Sequence, residues 1–174
     1  PPVPDPSKGY VWGIDPYDIY TVNRDGSGLK RLTNYGVYTA EGVLSPDGRR
    51  IVFTSLKGGD LDIYTMNVDG TDVKQLTTTP GYDGGPWWSP DGKQIVFTSS
   101  RDGDPDLYIM DANGSNVRQL TNVAGYDGGP FFSPDGKWVI FRSDRQEEHM
   151  LQLFAISVDG KTEVQLTNNL KQVN

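Results

Sequence analysis

Apolar residues along the chain fall in short runs punctuated by Gly, Pro, Asp and Asn, and no stretch repeats at the helical period of 3.6. Three runs, Ile51-Val52-Phe53, Ile95-Val96-Phe97 and Val139-Ile140-Phe141, are apolar on consecutive positions. A strand of this kind needs cover on both of its faces. Each is preceded by Ser-Pro-Asp-Gly, where Pro presets the first central turn position and Gly accepts positive φ. Before that turn lies another apolar stretch, ending in Trp87-Trp88 or Phe131-Phe132. After the central run come Asp-Ile-Tyr-Thr-Met and its copies, an Asp-Gly or Asn-Gly pair that reads as a hairpin turn, and a last short strand, Val73 to Leu76 in one copy.

These segments repeat. Ser-Pro-Asp-Gly starts at Ser45, Ser89 and Ser133, two intervals of 44 residues. A basic or Gln residue followed by Leu-Thr recurs in step at Arg31, Gln75, Gln119 and Gln165, the last interval being 46. Asp25-Gly26, Asp69-Gly70, Asn113-Gly114 and Asp159-Gly160 keep the same register. Each unit therefore reads as four antiparallel strands, a to d, and a period of this length with two-sided central strands predicts an all-β propeller of four-stranded blades. The units are 9–34, 35–78, 79–122 and 123–168, after a Pro-rich extended tether at 1–8 and before a closing segment at 169–174. The first unit lacks its innermost strand and keeps b (Tyr10 to Gly13), c and d. About four blades result, three of them complete. They form either a small ring closed by Leu170 to Val173 or part of a larger propeller; the absence of an initiator Met fits a processed product or a fragment.

The order aromatic-Ser-Pro-Asp-Gly-Lys, Ile-Val-Phe-Thr-Ser, Arg-Asp-Gly, Asp-Leu-Tyr and Gln-Leu-Thr, complete within residues 86–121, resembles the repeats of TolB-like β-propellers. The resemblance covers about Lys8 to Asn168. It implies the propeller fold and a periplasmic, extracellular or cell-surface setting, as in the periplasmic TolB protein. Similar repeats also occur in propellers attached to serine peptidases and in polysaccharide lyases, so no activity follows from the fold.

Composition narrows the function. A formal charge of −7 opposes binding to nucleic acid, and no apolar run approaches a membrane span. With no Cys and one His, the chain cannot build a disulfide framework, a thiol nucleophile or a multi-His metal site, including the His set on which propeller lyases rely. No Gly-x-Ser-x-Gly elbow is present.

Strand parity places the a–b and c–d turns on one face and the longer, more individual b–c and d–a connections on the other, where binding is expected. Gly-Tyr-Asp-Gly-Gly-Pro occurs twice there, setting Tyr82, Asp83, Tyr126 and Asp127 just before innermost strands, with Tyr38 and Glu41 in the corresponding part of the preceding unit. Either these residues edge a channel mouth that takes a peptide, a glycan or a cation, or each Asp caps the blade-to-blade turn. Arg101 and Arg145, in register with Lys57, form inter-blade ion pairs or bind an anion. Asp102, Asp104 and Asp106 alternate as in a calcium loop but lack the EF-hand Gly and Glu; Ca2+ is the one cofactor the chain invites, and turn-setting is the alternative. His149 lies in the only loop that departs from the period. The reading is a non-catalytic, exported propeller that binds another protein, or further copies of itself, through the b–c and d–a loops. A glycan- or cation-binding propeller and an accessory domain of a larger hydrolase are the rivals.

Overall fold

A computed structural model describes residues 15–147 and 150–168. The tether, strand b of the first unit, His149 and the closing segment lie outside the described residues. Those described contain no helix and fourteen strands. Strands β1 (Tyr20–Thr21) and β2 (Lys30–Arg31) form the two-stranded remainder of blade 1. Blade 2 comprises β3 (Thr39–Leu44), β4 (Arg50–Ser55), β5 (Asp62–Asn67) and β6 (Lys74–Gln75). Blade 3 comprises β7 (Asp83–Trp88), β8 (Gln94–Ser99), β9 (Asp106–Asp111) and β10 (Arg118–Gln119). Blade 4 comprises β11 (Asp127–Phe132), β12 (Trp138–Ser143), β13 (Gln152–Ser157) and β14 (Glu163–Gln165). Every pairing is antiparallel between neighbours in sequence, the strand order expected of a blade.

The repeated polar residues are the blade's internal wiring. In each Ser-Pro-Asp-Gly turn the Ser hydroxyl donates to the Asp carboxylate, at 2.6 Å between Ser45 and Asp47, and accepts the N–H that opens strand b, at 2.9 Å from Arg50. Gly48, at φ 71°, closes that turn. The Asp that opens strand c and the Thr of Gln-Leu-Thr form a relay between strands c and d. Thr77 donates to Asp62 at 3.0 Å and accepts the Ile63 N–H at 2.9 Å, and Gln75 donates to the other Asp62 oxygen. Asp106, Thr121 and Gln119 repeat the arrangement, and in blade 4 Gln152 replaces the Asp and receives Thr167 at 2.8 Å.

The core lies between sheets. Val52 and Ile63 of blade 2 face Trp88, Ile95, Phe97, Tyr108 and Met110 of blade 3. Val96, Leu107, Ile109 and Leu120 of blade 3 face Phe132, Val139, Phe141, Phe154 and Ile156 of blade 4 in the same manner. Consecutive apolar positions on strand b thus serve two different joints, which is why those strands do not alternate with polar residues. The blades are also stitched by polar contacts: Trp88 Nε1 donates to the Val43 carbonyl at 3.1 Å, and Asp60 and Asp104 accept the Gly81 and Gly125 N–H groups of the following blade at 2.8 and 2.9 Å. Blade 4 presents its forward face to solvent. Leu153 and Leu166 are 43% and 52% exposed, where their counterparts Leu107 and Leu120 are 0% and 8% exposed.

Candidate functional site

The innermost strands β3, β7 and β11 share one irregularity. Their ladders to β4, β8 and β12 break between Ala40 and Val43, between Gly84 and Trp87, and between Gly128 and Phe131. A β-bulge at each break re-aims the side chains beyond it. The bulge residues Glu41, Gly85 and Gly129 have φ of 59°, 61° and 60°, the left-handed region that glycine adopts freely and glutamate does not. Glu41 is held there by its own carboxylate, whose Oε2 accepts from Thr54 Oγ1 and from the Gly85 N–H of the next blade, both at 2.7 Å.

The three bulges surround a concave pocket of about 470 Å3. This is the size range of a binding cleft. Its walls are Trp87 and Phe131, which stand 44% and 43% exposed, with Pro86 and Pro130 behind them and Tyr82 and Tyr126 at the sides. Each Tyr lies across the backbone of an inner strand: a Cβ on Gly84 would sit 2.8 Å from Tyr82 Cε2, and one on Gly128 would sit 3.0 Å from Tyr126 Cε1. The Gly in Tyr-Asp-Gly therefore makes room for the ring two residues earlier. Burial, followed by the charge of Glu41, pushes the Tyr82 phenol far up, so its hydroxyl stays protonated. Tyr38 is pushed up to about 12, first by burial and then by Glu41. It stacks edge-on against Tyr17 at 5.9 Å and does not line the pocket.

Arg142 supplies the pocket's positive charge. Its guanidinium sits 5.8 Å from the Tyr126 ring centroid and donates to the Tyr126 hydroxyl at 3.4 Å. Thr98, 2% exposed, also lines the pocket, and its Oγ1 has no hydrogen-bond partner among the described residues. A buried hydroxyl left in this way costs about 1–3 kcal/mol.

The other expected residues do different work. Asp83 and Asp127 do not line the pocket, and their carboxylates do not cap a turn; both are buried, in ion pairs with Arg101 at 3.1 Å and Arg145 at 2.5 Å. These pairs lie within a blade, joining strand a to the b–c loop, and so correct the expectation of inter-blade pairing. The guanidiniums also lie over aromatic rings, Arg101 at 4.6 Å from Tyr108 and Arg145 at 4.8 Å from Phe154. Thr39 and Lys57 replace the pair in blade 2, where Thr39 shares a hydrogen bond with Ser55 and Lys57 lies over the Tyr35 ring. Turn capping belongs to Asp60 and Asp104 of the preceding blade. Asp102, Asp104 and Asp106 do not converge: Asp102 accepts from the Tyr108 hydroxyl, Asp104 from Gly125, and Asp106 from Thr121 and Gln119. Among the described residues no three acidic or His side chains gather as metal ligands, and no helix is long and apolar enough to cross a membrane.

Of the expected residues, then, Glu41, Tyr82 and Tyr126 meet in one pocket, joined by Trp87, Phe131, Thr98 and Arg142, which the sequence reading left out. Two of the site's charges were visible as breaks in the repeat. Position 41 reads Glu where 85 and 129 read Gly, and position 142 reads Arg where 54 and 98 read Thr.

Residues 76–173 match the family model of the TolB beta propeller domain. TolB from Acinetobacter baumannii superposes with a TM-score of 0.80 at 28% identity, over 90% of this chain and 39% of that one. A TolB-type protein from Agrobacterium tumefaciens gives 0.75 at 27% identity, over 85% of this chain and 55% of that one. A chain of a nidogen/laminin complex gives 0.72 at 12% identity, a likeness of fold alone. The chain thus spans about two fifths to just over half of the length of the two TolB proteins.

Proposed function

Because the chain belongs to the TolB β-propeller domain family, we propose that it is an exported, non-catalytic propeller module, periplasmic or at the cell surface, that binds a segment of another protein along its inner strands. The observation that carries this reading is the concave pocket spanning three blades, walled by the solvent-facing rings of Trp87 and Phe131. Rings fixed at strand ends by Gly-Pro bulges offer apolar contact area at little entropic cost on binding. Tyr82 and Tyr126 bring the d–a connections to the edge of the pocket, and the rest of its lining lies on the strands themselves. The polar groups favour recognition over proton transfer: the Glu41 carboxylate is already engaged by two donors, and the Tyr82 phenol stays protonated.

The test is site-specific photo-cross-linking in the source cell. A benzophenone amino acid at Phe131 should yield cross-links to a protein chain, whereas the same group at Lys93, in a turn of the opposite face, should not. Equal yields from the two positions refute the assignment of the face, and cell fractionation checks export.

A further inference from the structure

The joint between blades 2 and 3 and the joint between blades 3 and 4 are built from equivalent positions, and two components differ. In the first, the Glu41 carboxylate lies between the Thr54 hydroxyl and the Gly85 N–H, at 2.7 Å from each. In the second, the equivalents of Thr54 and Gly85 are Thr98 and Gly129, and the equivalent of Glu41 is Gly85, which has no side chain. Gly129 repeats the backbone of Gly85, with φ of 60° against 61°. Thr98 Oγ1 is buried at the pocket with no partner among the described residues. The site also carries a charge that the first joint lacks: Arg142 Nε would lie 3.1 Å from a Cβ on Gly129. No carboxylate among the described residues pairs with Arg142, in contrast to Arg31, Arg50, Arg101 and Arg145.

We infer that Thr98, the Gly129 N–H and Arg142 form a carboxylate-binding site, which takes an acidic group of the bound protein segment where the second joint lacks a carboxylate of its own. The inference deepens the proposed peptide-binding role and rests on it for the source of the acid. Glu41 supplies the template from within the chain: a hydroxyl and a bulge N–H converging on one oxygen. In the second site the guanidinium adds a charge-assisted donor. Trp87, Pro130 and Phe131 flank it and receive an apolar group adjoining the acid. The class of ligand is an acidic residue or chain terminus next to an aromatic or large aliphatic side chain.

The probe is N-acetylphenylalanine, with its uncharged methylamide as control, titrated into the 15N-labelled protein and read at the Gly129 amide and the Trp87 indole. The acid should shift both signals saturably and the methylamide should not. Arg142→Gln should weaken the acid at least five-fold. Gly85→Glu should abolish its binding, because the protein's own carboxylate then fills the site. A Cβ at Gly85 meets nothing within 4 Å, and Glu41 carries a side chain at nearly the same φ, so the cost of the change is the left-handed backbone strain that Glu41 already bears rather than a clash. If Gly85→Glu nevertheless fails to fold, Thr98→Val is read in its place and should weaken the acid at least three-fold. Equal shifts from acid and methylamide, or unchanged affinity in Gly85→Glu or Thr98→Val, overturn the inference. Loss of the carboxylate site with Phe131 cross-linking retained leaves the protein-binding face standing. Carboxylate binding without cross-links removes that face and leaves the site.

Discussion

Arg145→Met is the sharpest test of how the strands under the pocket are held. Arg145 bonds Asp127 and Glu163, both at 2.5 Å, and Ser143 at 2.9 Å, with side-chain exposures of 8% for Arg145 and 0% for Asp127. Methionine keeps an apolar stem against Phe154 but leaves the Asp127 charge buried without a counter-charge. Removing one partner of a buried pair costs about 3–5 kcal/mol. For a domain of this size each kcal/mol lowers Tm by about 2–4 °C, so a fall of about 6–20 °C is expected. In urea, at an m of about 2 kcal/mol/M, the midpoint should drop by about 1.5–2.5 M with m unchanged. Adding Asp127→Asn removes the stranded charge and should return more than half of the loss. The exposed pair Lys93–Asp91, at 80% and 58%, is the control, and Lys93→Ala should stay within about 0.5 kcal/mol of wild type. An Arg145→Met shift no larger than that of Lys93→Ala would refute the idea that Asp127 depends on its counter-charge.

Other expectations follow from the same wiring. Gly84→Ala must displace the Tyr82 ring and should cost about 1–3 kcal/mol in urea unfolding, while Gly26→Ala, whose Cβ meets nothing within 4 Å, should be affected only through its φ of 83°. Trp88→Phe loses the indole donor to Val43 across a blade joint and should cost about 1 kcal/mol or more by the same measure. Hydrogen bonds from Ser45, Ser89 and Ser133 hold the carboxyls of Asp47, Asp91 and Asp135 below the ordinary value of 3.8. A depressed folded value contributes stability above pH 3.8 that is lost as pH falls through it. The urea midpoint should therefore decline below about pH 3.8, and the decline should flatten in the triple Asp→Ala variant.

The fold was legible because its markers are local. Ser-Pro-Asp-Gly and Asp-Gly specify turns wherever they occur, and a fixed period places them in one architecture. The fate of Asp83 was harder to see, since its partner Arg101 lies eighteen residues away, across the width of the blade's inner hairpin. A clue did exist: in the one unit where Asp becomes Thr39, Arg becomes Lys57, so the two positions change together. Trp87 and Trp88 illustrate a different difficulty. Both look like core, but the bulge at Gly85-Pro86 turns one toward solvent and leaves the other 5% exposed, and hydrophobicity alone does not distinguish them. Thr98 carried no sequence signal. Its importance comes from a glycine thirteen positions earlier that withholds the carboxylate Thr54 enjoys.

Asp60 and Asp104 belong by sequence to one blade and shape the entry turn of the next. Glu41 and Trp88 bridge the first of these seams, between blades 2 and 3. A blade excised or transplanted at its own sequence boundaries would therefore carry half of two joints and the whole of none. Duplication, truncation or grafting in this scaffold should succeed when cut points preserve the seam from the b–c loop of one unit through the inner strand of its successor. That seam is the heritable module, and variation confined to a single seam, as at Glu41 and Gly85, can change what the scaffold binds without disturbing how the other seams pack.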